Sequence, residues 1–281
     1  MSSAPSPVPL RALSPSRAAD FMQCPLLFRF RVIDRLPEPP SPAAKRGTLV
    51  HAVLERLFEL PAESRTPDSA VALLEPQWQR MREREPEVEE MFADSEALES
   101  WLAEARALVR RYFDLESPQR LEPRQREVRL EVSLESGPRL LGYVDRVDVA
   151  PTGQVRIVDY KTGKRPAQRY EDKARFQIFF YGVMVWRDTG RVPDRLQLLY
   201  LGDGTARWYD PSEEELRNAE AHIRSVWADI TETARTGRWL PRRSPLCGWC
   251  DHRALCPAFG GTPPPLPDGA ADGAAASSSA V

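Results

Sequence analysis

Two acidic residues and a lysine near the middle of the chain have the types and spacing for metal-assisted chemistry on a phosphate. In VRIVDYKTGK, the side chains of Val155, Ile157, Asp159 and Lys161 share one face of an extended strand. An apolar face therefore ends in a carboxylate and an ammonium. Upstream, LGYVDRVDV ends a second strand with Asp145 and then Asp148. If the two strands are neighbours, Asp145 and Asp159 meet at one end of a sheet. Two carboxylates repel unless a cation lies between them, and hard oxygen ligands suit Mg²⁺ or Mn²⁺. Such an ion acidifies water and stabilises a pentacovalent phosphate. Lys161 would orient that water or neutralise developing charge. A surface ion-pair cluster is the competing reading of an isolated D-x-K, and the upstream G-x-x-D counts against it.

Further polar residues surround this pair. His51, in GTLVHAVLERL, lies on a helix beside an apolar stripe. It is either a structural histidine or a ligand to the same metal, or it contacts a phosphate. Gln177 and Tyr181, in FQIFFYGVMV, are four apart and share a helix face. Gln177 could order water or the lysine, and Tyr181 could touch a nucleic-acid backbone. The competing reading is a polar edge on a packed helix.

The C-terminal run CGWCDHRALC places Cys247, Cys250 and Cys256 close together, which is strong metal-ligand spacing. Cys24, far upstream in DFMQCPLLFRF, is a candidate fourth ligand that would tie the chain ends together. His252 is the rival fourth ligand for a local zinc site. Spacing leaves an iron-sulfur cluster and zinc open.

The elements that must position these residues can be read from periodicity. Ser14 or Ser16 caps a helix to about Leu27, and PEPPSP at 37–42 is a linker. A helix starts near Ala44, and further helices over 67–116 break near Pro86. Strands are expected at 125–135, 139–149 and 154–161. A helix follows from about Tyr170 to Trp186, then strands at 195–201 and 205–209 joined by a GDG turn, then a helix to about Thr233. This order predicts an α/β (α+β) core with a central mixed sheet flanked by helices. Residues 1–12 and 260–281 are expected to be disordered around a domain at 13–259. Within that domain, 62–118 is a helical insertion and 244–259 a cysteine segment closing onto Cys24.

The 281 residues carry a formal charge of −2, which excludes a uniformly basic coat. Charge is segregated instead. Residues 156–175 sum to +4, including Arg165 and Arg169, whereas 83–104 sum to −8. The first suggests a polyanion track and the second a solvated surface. No apolar run is long enough for a membrane span. The N-terminus lacks an export signal, so a cytoplasmic location is expected and the cysteines do not read as a disulfide framework.

The ordered set LSPSRAADFMQCPLLFRF, GTLVHAVLERLF, GYVDRVDV, VDYKTGK, QIFFYG and CGWCDHRALCP resembles the RecB-like branch of the PD-(D/E)XK nucleases. Within it, the chain is most similar to the iron-sulfur members, namely AddAB-type nuclease domains and CRISPR adaptation nucleases. The resemblance covers residues 12–259. It implies a restriction-endonuclease-like core and metal-dependent hydrolysis of DNA, as an exonuclease in repair or recombination. It implies His51, Asp145, Asp159 and the Tyr160 carbonyl as ligands of Mg²⁺ or Mn²⁺. Lys161 would be the catalytic lysine, with Gln177 and Tyr181 as the Q-x-x-x-Y pair. Cys24, Cys247, Cys250 and Cys256 would hold a 4Fe-4S cluster in preference to zinc. DNA is the implied partner, with a helicase or another repair or CRISPR subunit as a further one. The literal Pro-Asp is absent, since Val144 precedes Asp145, and no helicase phosphate-binding motif occurs. Alternatives are a spacer-processing CRISPR nuclease and a non-catalytic DNA-binding module of the same fold.

Overall fold

The computed structural model describes Leu10 and residues 12–135, 137–167 and 171–267. Arg169 and Tyr170 lie outside the described residues, as do 1–9, 11 and 268–281 of the two segments expected to be disordered. The chain forms two compact units. One comprises Met1–Pro39, Glu131–Gly142 and Arg217–Val281; the other comprises Pro40–Leu130 and Tyr143–Leu216.

The second unit begins where Ser41 caps α3 (Pro42–Leu57) by accepting the Ala44 N–H, with Pro42 in the first turn, where its missing N–H costs nothing. The buried stripe Leu49, Val50, Val53, Leu54 and Leu57 faces α4 (Pro67–Ala72), α5 (Leu74–Arg84) and α6 (Ser95–Leu115). Trp78 and Trp101 meet in this core at 5.3 Å between ring centroids. The same core reaches the sheet through Val158, Tyr160, Leu199 and Leu201. Within the acidic stretch, Glu83, Glu87, Glu89 and Glu90 are exposed.

The sheet runs in the order β1 (Gln125–Ser133), β2 (Arg139–Val149), β3 (Val155–Lys161), β4 (Arg195–Tyr200), β5 (Thr205–Tyr209). Pairs β2–β3 and β4–β5 are antiparallel, whereas β3–β4 is parallel. A parallel pair needs a crossover, and α7 (Asp172–Thr189) supplies it. Nine consecutive residues of α7, Ile178 to Trp186, are buried, and Gly182 lets the helix approach Leu196 closely. The result is a mixed five-stranded sheet between helices, an α/β fold of the restriction-endonuclease-like kind.

In the first unit, Ser14 caps α1 (Pro15–Gln23), and α2 (Pro25–Phe28) continues into a π-helical turn, Arg29–Ile33. The single helix expected to Leu27 is broken at Cys24, which is extended (φ −163°, ψ 115°). Pro25 explains the break, because a residue before proline is driven out of the helical region. Helix α8 (Glu213–Thr236) starts in the second unit and ends in this one, followed by short 3₁₀ turns at Pro245–Trp249, Arg253–Leu255 and Pro257–Phe259. Phe28 stacks on Trp239 with centroids 5.8 Å apart.

The loop leaving β3 is clamped to the β4–β5 turn. Leu201 N–H donates to the Lys161 carbonyl at 2.7 Å, Gly202 N–H to the Gly163 carbonyl at 3.1 Å, and Arg165 N–H to Asp203 Oδ2 at 3.0 Å. A Cβ on Gly202 would lie 2.3 Å from the Gly163 carbonyl carbon, with only backbone to give way, whereas one on Gly163 would meet nothing within 4 Å. Gly202→Ala is therefore expected to destabilise the protein by about 1–3 kcal/mol. Gly163→Ala should be close to neutral. Urea denaturation of the two variants checks the contrast.

Candidate active site

The site lies where pairing between β2 and β3 gives way to side-chain contacts. The ladder runs from Val149↔Val155 to Arg146↔Val158. Beyond it, the Tyr160 N–H donates to Asp145 Oδ2 at 2.6 Å. A carboxylate thus takes an amide that a ladder carbonyl would otherwise accept. Asp145 is 8% exposed and Asp159 only 2%.

His51 reaches this point from α3. Its Nε2 lies 3.0 Å from the Tyr160 carbonyl oxygen. Its Nδ1 lies 3.5 Å from Asp145 Oδ1 and 3.6 Å from Glu127 Oε1. Ligand atoms of His51, Glu127 and Asp145 all fall within 4.8 Å of one another. Burial works against a charged His51, but the Asp145 carboxylate, with Glu127 and Asp159, holds its pKa well above the ordinary imidazole value.

Asp159 faces Lys161 along the same strand edge, with Oδ2 2.6 Å from Nζ. The ammonium also donates to Gln177 Oε1 at 2.8 Å, and Gln177 Nε2 donates to the Tyr181 hydroxyl at 3.3 Å. The four-residue spacing on α7 creates this chain. Tyr181 is buried, so its hydroxyl is engaged by Gln177 inside the protein. The Asp159 carboxyl is pushed from 3.8 up to about 6, first by burial; the Asp145 charge adds to the rise and Lys161 opposes it. One imidazole and several crowded carboxylates, one of them disfavoured in its ionised form, fit a hard divalent cation.

The structure therefore brings His51, Asp145, Asp159, Tyr160, Lys161, Gln177 and Tyr181 into one connected set. Glu127 was not anticipated. It sits on β1 with φ +43°, a left-handed conformation that a non-glycine residue adopts only under constraint. That conformation departs from the extended backbone on which period-2 reading of REVRLEVS rests. Its one cue was an acidic residue on the strand before GYVD. Arg165, placed on the polyanion track, ion-pairs with Glu171 at 2.7 Å.

Cys24, Cys247, Cys250 and Cys256 line one pocket of the first unit, with Leu26, Leu27 and Phe30. Arg242 N–H donates to Cys24 Sγ at 3.3 Å and Ser244 N–H to Cys247 Sγ at 3.4 Å. Burial pushes the Cys250 thiol up, and its three cysteine neighbours add to the shift. Among the described residues, no three of the sulfurs lie within 4.8 Å of one another. His252, the rival zinc ligand, is buried with Nε2 2.8 Å from Glu38 Oε1.

Residues 12–257 match the model of the PD-(D/E)XK nuclease superfamily, and the chain belongs to that superfamily. No curated protein matches the chain. A crystal structure from Eubacterium rectale, provisionally named an exonuclease, is similar with a TM-score of 0.58. It is 16% identical, over 86% of this chain and 88% of its own length, and so supports the fold. The crystal structure of SSO0001 is 14% identical over 89% of this chain and 87% of its own, with a TM-score of 0.43. Among the described residues, no helix is long and apolar enough to cross a membrane.

The raised Asp159 pKa has a definite sign. Its contribution to stability is fully present below about pH 4 and is lost as pH rises through about 6. Asp159→Asn abolishes this titration. The melting temperature of the metal-free variant, relative to the parent, should climb as pH rises through that window. A difference that stays flat across thermal melts from acid to neutral pH would contradict the buried, crowded carboxylate.

Proposed function

We propose that this chain is a divalent-metal-dependent DNA nuclease of the RecB-like branch, acting as an exonuclease in repair or recombination. The observation that supports it most is the donor set of His51, Glu127 and Asp145 beside the chain Asp159–Lys161–Gln177. In this reading His51, Glu127, Asp145, Asp159 and the Tyr160 carbonyl hold Mg²⁺ or Mn²⁺. A cation there supplies Lewis-acid polarisation of the scissile phosphate and a more acidic water. Asp159 and Gln177 hold the Lys161 ammonium in place, where it orients the attacking water and neutralises charge developing on the phosphate. His51 must shed its proton to serve as a ligand, because an imidazolium has no lone pair to give.

The iron-sulfur staple belongs to the same proposal. Four thiols in one pocket support a shared group. A single tetrahedral zinc, with Zn–S of about 2.3 Å, would draw its sulfurs to roughly 3.8 Å from each other. A 4Fe-4S cluster would place each of the four thiolates on a separate iron. The cluster is structural in this reading, since hydrolysis of a phosphodiester needs a hard, redox-silent ion.

Two measurements test the reading. End-labelled single- and double-stranded DNA should be degraded with Mg²⁺ or Mn²⁺ and not with EDTA, and Asp159→Ala or Lys161→Ala should lose ~100-fold or more of the rate while staying folded. Full chelator-sensitive activity in both variants would sink the site assignment. Anaerobically purified protein should carry about four irons per chain, and Cys24→Ala should lose them with a large fall in melting temperature. Stoichiometric zinc in a colourless protein would replace the cluster by a zinc site.

A further inference from the structure

Arg146 follows Asp145 on β2 and is 0% exposed. Its Nη1 donates to the Tyr160 hydroxyl at 2.7 Å and to the Tyr112 hydroxyl at 3.2 Å. Its Nη2 donates to Glu116 Oε1 at 2.9 Å, and its Nε to Asp148 Oδ1 at 3.0 Å. The guanidinium carbon lies 5.6 Å over the Tyr160 ring and 5.4 Å over that of Phe58. Glu116 and Asp148 are held in turn by Arg156, at 3.1 and 2.7 Å. Stability alone is a weak reason for such an arrangement, because buried ion pairs can often be replaced by packed apolar residues without loss.

Tyr160 gives a better reason. Side chains alternate along a strand, so the Tyr160 ring points to the face opposite Asp159 and Lys161. That ring is buried in the α3–α6 core and tied to Arg146. The main chain of the same residue makes the two contacts at the site, its N–H to Asp145 and its carbonyl to His51. Any roll of the strand about Tyr160 would move Asp159, Lys161 and the carbonyl together.

We infer that Arg146 is a positioning residue that acts through Tyr160. It fixes the Asp159–Tyr160–Lys161 backbone so that Asp145, His51 and the Tyr160 carbonyl stay in register for a metal ion. The inference rests on the metal-site reading above and adds to it a residue on the far side of the sheet that touches neither metal nor substrate.

Mn²⁺ affinity of the full chain, measured by titration calorimetry at a temperature where circular dichroism shows each variant folded, tests this. Arg146→Lys keeps the charge but loses the fork, and Tyr160→Phe removes only the hydroxyl. Both are expected to weaken Mn²⁺ binding, Arg146→Lys by about tenfold or more. Val109→Ala, a cavity in the same helical core, should lower the melting temperature and leave Mn²⁺ affinity unchanged. Should Arg146→Lys fail to fold, Tyr160→Phe decides the matter. Parent-like affinity in the folded variants, or equal weakening in Val109→Ala, overturns the positioning role alone. A parent chain that binds no Mn²⁺ overturns the metal site and this inference with it.

Discussion

The Tyr160 amide, accepted by the Asp145 carboxylate at 2.6 Å, is the contact on which the site's geometry depends. It anchors β3 to β2 just past the last ladder pair and spends one oxygen of the carboxylate on structure. The other oxygen stays turned towards His51. A single acidic residue thereby joins two strands and orients the His51 imidazole. Burial of the neighbouring Asp159 disfavours that residue's ionised form, the Asp145 charge adds to the effect, and crowding of this sort is what a cation relieves.

How much of this was legible in the sequence depends on the range over which each feature is determined. Asp159 and Lys161 share a strand face, and Gln177 and Tyr181 a helix face, because backbone periodicity is local. The mixed sheet followed from the order of those periodic segments. Glu127 was hidden for the same reason that the others were visible. Its left-handed φ departs from the extended backbone on which strand periodicity rests. The bond between His51 and Tyr160 spans 109 positions and belongs to tertiary packing. Arg146 stands between two aspartates in GYVDRVD, and tertiary packing alone brings Tyr112 and Tyr160 to it.

Chain chemistry also explains a misread boundary. The run from Pro15 to Phe28 has helical character throughout, yet Pro25 forces the preceding Cys24 into an extended conformation. The thiol therefore stands at a corner between two helices, where its sulfur accepts the amide of Arg242. The intervening proline thus makes this thiol reachable from the far end of the chain.

The division of the chain into interleaved segments has a consequence for biosynthesis. Every residue of the unit that carries His51, Asp145 and Lys161 has been translated once Leu216 is made. The other unit needs both the opening segment and everything after Arg217. At about 5–20 residues per second, the opening helices wait for tens of seconds before Cys247 and its neighbours emerge. The nascent chain can thus complete the unit carrying His51, Asp145 and Lys161 while Cys24 still waits for the other three cysteines. The order of emergence makes closure of the cysteine pocket the later of the two events.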